Sequence, residues 1–312
     1  MDAWLHVITL SPSQLITLTV AQTLTEIRWL LEAAGVSPRH HHGQHFLIDG
    51  NLMRKLVRVA AVGPADVVLE VGAGTGSLTE LLLECGARVI AVEIDPALQR
   101  ILRERLEGKP GFTLIAGDVL AGKHHLNPQV LAQLAAQTPG PGGARKLVAN
   151  LPYQVATPLL LELLYATPRV TLLACTIQKE VADRLTAAPK TKDYGLVSVV
   201  AQSLAEIEHV ATLAPSVFWP RPKVDSAMLL LHRRSDEQVH AAIDDLPGFV
   251  DFVRRAFQQR RKMLRRQARN WNELAAAGVF DRAGVSRDWR PEELSVAQWQ
   301  ALFRAVRRAA AR

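Results

Sequence analysis

The sequence predicts an α/β domain on a largely parallel sheet, followed by a small all-helical C-terminal domain. Three observations predict it. Short β-branched runs alternate with helical stretches, the pattern of successive βαβ units. The first of these strands runs straight into a glycine-rich loop and then a helix. From about residue 236 the apolar spacing turns helical to the end of the chain, and the basic residues concentrate there. These observations divide the chain into an N-terminal extension (1–22), a sheet domain (23–235) and a helical domain (236–312).

Taken in order, residues 1–20 carry no recognisable chemistry, and TLTEIRWLLEAAG (23–35) is a short amphipathic helix that Gly35 suits as a C-terminal cap. Strands are expected at DVVLEV (66–71), ARVIAVE (87–93), FTLIAG (112–117), KLVAN (146–150) and TLLACTI (171–177). Helices fit at 77–85, 96–107, 157–166 and 179–187. Segment 121–145 ends in TPGPGGAR, a Pro/Gly-rich surface excursion. After Tyr194 the order changes to a helix at 195–204 and strands near 206–213 and 225–233. A helix is expected near 254–269. No internal repeat is present.

The chain has 312 residues, 48% of them hydrophobic, 21% charged and 5% aromatic, which excludes a disordered or fibrous protein. No apolar run approaches the ~18 residues that span a bilayer, which argues against a channel or transporter. Cys85 and Cys175 stand in no metal or redox spacing, so neither a disulfide scaffold nor a zinc site is expected. The N-terminus lacks a basic n-region, carries Asp2 and Glu26, and has no Arg before Arg28, so a cytoplasmic location is expected.

The formal charge is +7, and its placement is more informative than its size. Residues 254–312 hold 15 Lys+Arg against 5 Asp+Glu, whereas the rest of the chain holds 22 against 25. Within the C-terminal part, RRAFQQRRKMLRRQAR (254–269) has eight cations and no acid. A focused patch of this kind is the footprint expected for a phosphate backbone; an ordinary solvated helix face is the plainer alternative. Arg260, Arg261, Lys262, Arg265 and Arg266 are its candidate contacts.

The strongest local signal is LEVGAGTGSLTE (69–80). Gly72, Gly74 and Gly76 let the backbone turn and approach a ligand closely. The dinucleotide fingerprint would place a sixth-position glycine where Ser77 stands, so the spacing suits a nucleoside without a pyrophosphate, namely S-adenosylmethionine. A plain tight turn is the alternative. Glu93 ends the next strand, where an acid can accept ribose hydroxyls, and Asp118 follows the third, where a carboxylate can receive an adenine amine. Each acid alone is more often a solvated loop residue or a helix cap; three successive strand ends make the ligand reading stronger. The fourth strand ends in NLPY (150–153), where Asn150 and a following carbonyl can accept from an exocyclic amine and Tyr153 can stack on a base. His40, His41, His42 and His45 have no accompanying Cys or acid cluster, so they read as a solvated tract and no metal is expected.

With these residues in place the chain resembles the small-subunit ribosomal RNA adenine dimethyltransferases. The resemblance runs from about Thr23 to Phe303 and rests on GQHFLID (43–49), EVGAGTGSLT (70–79), NLPYQVATPLL (150–160), IQKEVADRLTAAPKTKDYGLVSVVAQ (177–202), FWPRPKVDSA (218–227), FQQRRKMLRR (257–266) and RPEELSVAQW (290–299). It implies a Rossmann-like class I S-adenosylmethionine-dependent methyltransferase sheet. The implied reaction dimethylates N6 of two adjacent adenosines near the 3′ end of 16S rRNA. The implied partner is the pre-30S ribosomal particle, approached by a monomer with no membrane attachment. By position, His45 and Leu47 match the segment closing over the cofactor, Gly72 and Gly74 the loop, Glu93 the ribose acid and Asp118 the adenine contact. Asn150 matches the residue between cofactor and target amine; Tyr153 and Phe218 match the aromatics around a flipped base. The chain departs from the family in having Arg39 and three histidines where basic residues usually precede the GQ, and His45 where Asn is commoner.

Three rivals remain open at this stage. A large-subunit rRNA methylase of the antibiotic-resistance type shares the loop and an NLPY-like motif, but QKEVADRL…YGLVSV and the long C-terminal domain favour the small subunit. A non-catalytic assembly or transcription factor is opposed by the intact EVGAGTG, Glu93, Asp118 and NLPY set. An NAD-dependent dehydrogenase is opposed by Ser77 and the basic C-terminal part.

Overall fold

The structure, a computed structural model, describes residues 22–35, 44–122, 125–276 and 278–310. The His40–His42 tract and nearly all of the 1–22 extension lie outside the described residues. The chain order is α1 (Leu24–Ala33), β1 (Phe46–Leu47), α2 (Gly50–Val59), β2 (Val67–Val71), α3 (Ser77–Glu84), β3 (Arg88–Glu93), α4 (Pro96–Leu106) and β4 (Phe112–Ala116). Then come α5 (Pro128–Ala136), β5 (Arg145–Asn150), α6 (Ala156–Tyr165), β6 (Leu172–Gln178), α7 (Lys179–Thr186), α8 (Leu196–Leu204), β7 (Ala205–Leu213), β8 (Phe218–Trp219) and β9 (Ser226–Arg233). The helices α9 (Asp236–Ala242), α10 (Leu246–Gln258), α11 (Leu264–Gln267), α12 (Asn272–Ala275), α13 (Val279–Ala283) and α14 (Val296–Ala310) complete it.

Seven strands form one sheet in the order β4-β3-β2-β5-β6-β9-β7. The first five are parallel; β9 runs antiparallel to both β6 and β7. Strand order reverses between β2 and β5, which opens a crevice at the carboxyl ends of those strands. Every residue of β2 is buried, as a parallel strand covered on both faces must be. Its period of two sends Val67, Leu69 and Val71 into one core and Val68 into the other. Glu70 therefore points to the face of Val68, where α3 supplies its partner: Thr79 Oγ1 donates to Glu70 Oε2 at 2.6 Å.

Two sequence expectations are corrected. The 121–145 excursion contains α5, started by Asn127, whose side chain accepts from Gln129 N, with Pro128 in the first turn. Val130 and Leu134 anchor it in the core. The basic run 254–269 is not one helix. α10 ends at Gln258, and a turn precedes α11 because tertiary partners outbid the helical ladder. Leu264 N donates to Trp289 O and Arg265 N to Arg287 O, while Gln267 Nε2 reaches the carbonyls of Ala256, Gln259 and Lys262.

The C-terminal helices share a core with α8 and the segment before it. Tyr194, fully buried, sits among Phe249, Phe257, Trp299 and Leu302, and its hydroxyl donates to Leu294 O at 2.7 Å. Among the described residues no helix is long and apolar enough to cross a membrane.

Candidate active site

One pocket opens at the crevice. The glycine loop after β2, the ends of β3 and β4, the NLPY turn after β5, and the Gln44–Leu47 arm line it. Gly72 (φ +75°) and Gly74 (φ +61°) adopt the left-handed backbone, and each also lacks room for a side chain. A Cβ on Gly72 would lie 2.9 Å from Pro152 Cγ, and one on Gly74 3.0 Å from the Phe46 ring. Glycine at these positions lets the loop, the NLPY turn and the arm close on one another.

Glu93 is 4% exposed and accepts three backbone N–H bonds: Gly74 N on Oε2 at 2.8 Å, Ile94 N and Asp95 N on Oε1 at 2.9 and 3.0 Å. Burial nonetheless raises its pKa above the ordinary carboxylate value, with the backbone N–H groups opposing. Glu70 is buried more completely, and burial pushes it up to about 8 against the Thr79 hydrogen bond, with a further push from Glu93. Asp118 is exposed at the pocket rim; its Oδ1 accepts from Leu120 N at 3.0 Å. Among the described residues no Lys or Arg lines the pocket. Among the described residues no group of three or more His, Cys, Asp or Glu is placed to hold a metal ion.

Asn150, at the end of β5, is held at both ends of its amide. Its Nδ2 donates to His45 O at 2.8 Å, and its Oδ1 accepts from Thr176 Oγ1 at 2.5 Å. Tyr153 Oη and Ser226 Oγ share a hydrogen bond of 2.8 Å, and the Tyr153 ring lies 5.2 Å from that of His45. His45 Nδ1 lies 2.6 Å from Pro220 O; a carbonyl only accepts, so Nδ1 carries the proton. β1 and β8 pair antiparallel, Phe46 with Trp219 and Leu47 with Phe218. The arm and the FWP segment thus form a two-stranded ribbon beside the pocket.

The structure brings His45, Leu47, Gly72, Gly74, Glu93, Asp118, Asn150 and Tyr153 to this one pocket. Phe218 is not on its wall: the ring is 3% exposed and packs with Met53, Leu213 and Met228, while its pairing partner Leu47 lines the pocket. The basic residues stand apart from the pocket and are not all free. Arg260 pairs with Glu292 at 2.5 Å and Arg265 with Asp288 at 2.9 Å; Arg261, Lys262 and Arg266 are exposed and have no ion pair among the described residues. The run lacks acids in sequence, yet acids distant in the chain come back to it.

Sequence reasoning missed Gln22, Glu70, Thr176 and Ser226. Glu70 had a signal, being the one charged residue in an otherwise apolar strand. The other three act through strand register or helix docking, which adjacent residues do not encode.

The family of ribosomal RNA adenine dimethylases matches residues 36–307. A ribosomal RNA small subunit methyltransferase A from Phenylobacterium zucineum is 41% identical, over 90% of this chain and 92% of its own. One from Geobacillus kaustophilus is 37% identical, over 89% and 94%. Among solved structures, a dimethyladenosine transferase from Plasmodium falciparum superposes with a TM-score of 0.70 at 22% identity, covering 84% of this chain and 97% of that one. The 23S rRNA methyltransferase ErmE superposes with a TM-score of 0.60 at 27% identity, covering 84% and 99%.

Proposed function

The chain belongs to the ribosomal RNA adenine dimethylase family, and we infer that it methylates N6 of two adjacent adenosines near the 3′ end of 16S rRNA. In this reading it acts as a cytoplasmic monomer on the pre-30S particle, with S-adenosylmethionine as methyl donor. The observation that carries the donor is the pocket's acidity. Glu70, Glu93 and Asp118 line it, and no Lys or Arg is among its described lining residues. Asp118 at the rim and Glu93 at the end of β3 suit a cationic sulfonium nucleoside better than a pyrophosphate.

When bound, S-adenosylmethionine supplies an electrophilic methyl group that needs no covalent enzyme intermediate. Glu93 Oε1 is already used twice, so Oε2 keeps the lone pair that can receive a ribose hydroxyl. Asp118 accepts the cofactor's adenine amine at the rim. Asn150 Oδ1 and the Leu151 carbonyl would accept from the target amine, orienting its nitrogen toward the methyl donor and stabilising positive charge as it develops. A paired, stacked adenine cannot reach this pocket, so the base is extruded. Tyr153, pinned by Ser226, offers one stacking face. Phe218 supplies the second only once β8 exposes its ring. Arg261, Lys262 and Arg266, with Arg260 and Arg265 where their acids release them, grip rRNA phosphates.

Mass spectrometry of rRNA from cells with and without the protein tests this reading. Two dimethyladenosines in small-subunit rRNA should appear only with the protein. Unchanged small-subunit rRNA, or a mark on large-subunit rRNA instead, overturns it.

A further inference from the structure

Asn150 and Thr176 are direct register partners in the parallel pair β5·β6. Register partners on neighbouring strands project to the same face, which is why the two side chains meet. Thr176 is 1% exposed and is the only hydroxyl residue of β6, whose other buried positions are Leu, Ala, Cys and Ile. A hydroxyl buried in such a strand needs a partner, and its partner is the Asn150 amide.

The orientation of that amide follows from the chemistry of its neighbours. The His45 carbonyl can only accept, so the nitrogen must face it. The oxygen then faces Thr176, whose hydroxyl must donate. The same residue also holds the next one: Leu151 N donates to Thr176 O at 3.0 Å. One residue of β6 thus fixes the Asn150 side chain through its hydroxyl and the Leu151 backbone through its carbonyl.

The two anchors of the amide differ in kind. His45 belongs to the arm, which is tied by the two-residue pairing with β8, the bond to Pro220, Ile48 N on Val217 O and Gln44 on Asp95. Thr176 belongs to the middle of the sheet. The His45 anchor is only as fixed as the arm, whereas the Thr176 anchor is fixed by the sheet. The terminal torsion of an asparagine is broad and close to two-fold, so an amide held at one point samples orientations that two points exclude.

We propose that Thr176 is a positioning residue of the methyl transfer, its hydroxyl fixing the Asn150 amide plane so that the remaining Oδ1 lone pair meets the target amine. This rests on the reading of Asn150 as the acceptor for that amine. Thr176→Val keeps the shape of the side chain and removes the donor; Thr176→Ser keeps the donor and removes a methyl.

The test uses the full-length protein with unmethylated small-subunit particles and saturating S-adenosylmethionine. Single-turnover rates are measured for wild type, Thr176→Val, Thr176→Ser and Asn150→Ala, together with cofactor and particle affinities and melting temperatures. Thr176→Val should transfer on the order of 10–100-fold more slowly, below the loss from removing a direct donor, with both affinities within about threefold of wild type. Thr176→Ser should recover most of the rate. If Thr176→Val does not fold, Thr176→Ala is read against Thr176→Ser in the same way. A slow Asn150→Ala beside a wild-type Thr176→Val overturns the role of Thr176 alone, as does equal loss in Val and Ser. A wild-type rate for Asn150→Ala overturns the acceptor reading itself.

Discussion

Gln22 and Thr75 hold each other by both ends of the Gln22 amide: Nε2 donates to Thr75 O at 3.2 Å, and Thr75 Oγ1 donates to Oε1 at 2.7 Å. Gln22 N also donates to Ser77 Oγ, so the segment leading into α1 is fastened to the glycine loop by three hydrogen bonds. Thr23 and Glu26 then start α1 with a capping box, and Ile27 reaches the pocket wall. The position that departs from the dinucleotide pattern, Ser77, thus serves as an acceptor for the N-terminal segment.

Gln22→Ala removes two of these bonds and leaves the buried Thr75 hydroxyl without its partner. Each is worth about 0.5–1.5 kcal/mol net. The loss should appear as roughly 5- to 150-fold weaker S-adenosylmethionine binding by calorimetry, because α1 can come away locally without unfolding the sheet. An unchanged affinity would show that α1 plays no part in holding the loop.

Glu70 gives stability a pH dependence. Its carboxyl is protonated in the fold up to about pH 8, whereas the unfolded group titrates near 4.5. Between those values the fold binds the extra proton, so raising pH favours the unfolded chain and stability falls by up to about 1.4 kcal/mol per pH unit. Below pH 4.5 both states are protonated and the slope vanishes. Glu70→Gln keeps an acceptor for Thr79 and should flatten the fall between pH 5 and 8 in denaturant titrations. A slope equal to wild type would mean that Glu70 is ionised in the fold.

Phe218 separates packing from stacking. Phe218→Ala empties a buried site and should cost about 3–5 kcal/mol of stability. Phe218→Leu refills most of that volume and should melt within a few degrees of wild type. If the ring is exposed to the flipped base during the reaction, Phe218→Leu still loses the stacking contribution of ~1–3 kcal/mol. A rate reduced by roughly fivefold or more is therefore expected at near-normal stability. A wild-type rate would make Phe218 a packing residue.

The basic segment divides into free and paired cations. Neutralising Arg261, Lys262 and Arg266 should lower the log–log salt slope of rRNA binding by about 0.7–0.9 per residue if each meets one phosphate. Arg260→Ala should lower it by less, and should also release Glu292 and the Thr191 carbonyl that Arg260 now holds. Equal slopes for the triple variant and wild type would exclude this surface from the RNA contact.

The sequence by itself determined the α/β class, most strand and helix bounds, and six pocket residues, with His45 and Leu47 added by the family resemblance. Those signals are local: short β-branched runs, glycines where the loop must turn, acids and an NLPY at strand ends. α5 lay hidden because Pro128 and the Pro/Gly run at 139–143 read as breakers, although a proline at the first turn of a helix costs nothing. Tertiary structure alone decided the rest. It broke the basic run at Gln259 with partners from 287–289, returned Glu292 and Asp288 to arginines that look uncompensated in sequence, and buried the Phe218 ring. It also set Thr176 against Asn150, a pairing 26 residues apart. Side-chain period and turn chemistry are written in neighbouring residues, whereas strand register and long-range charge pairing exist only once the sheet has closed.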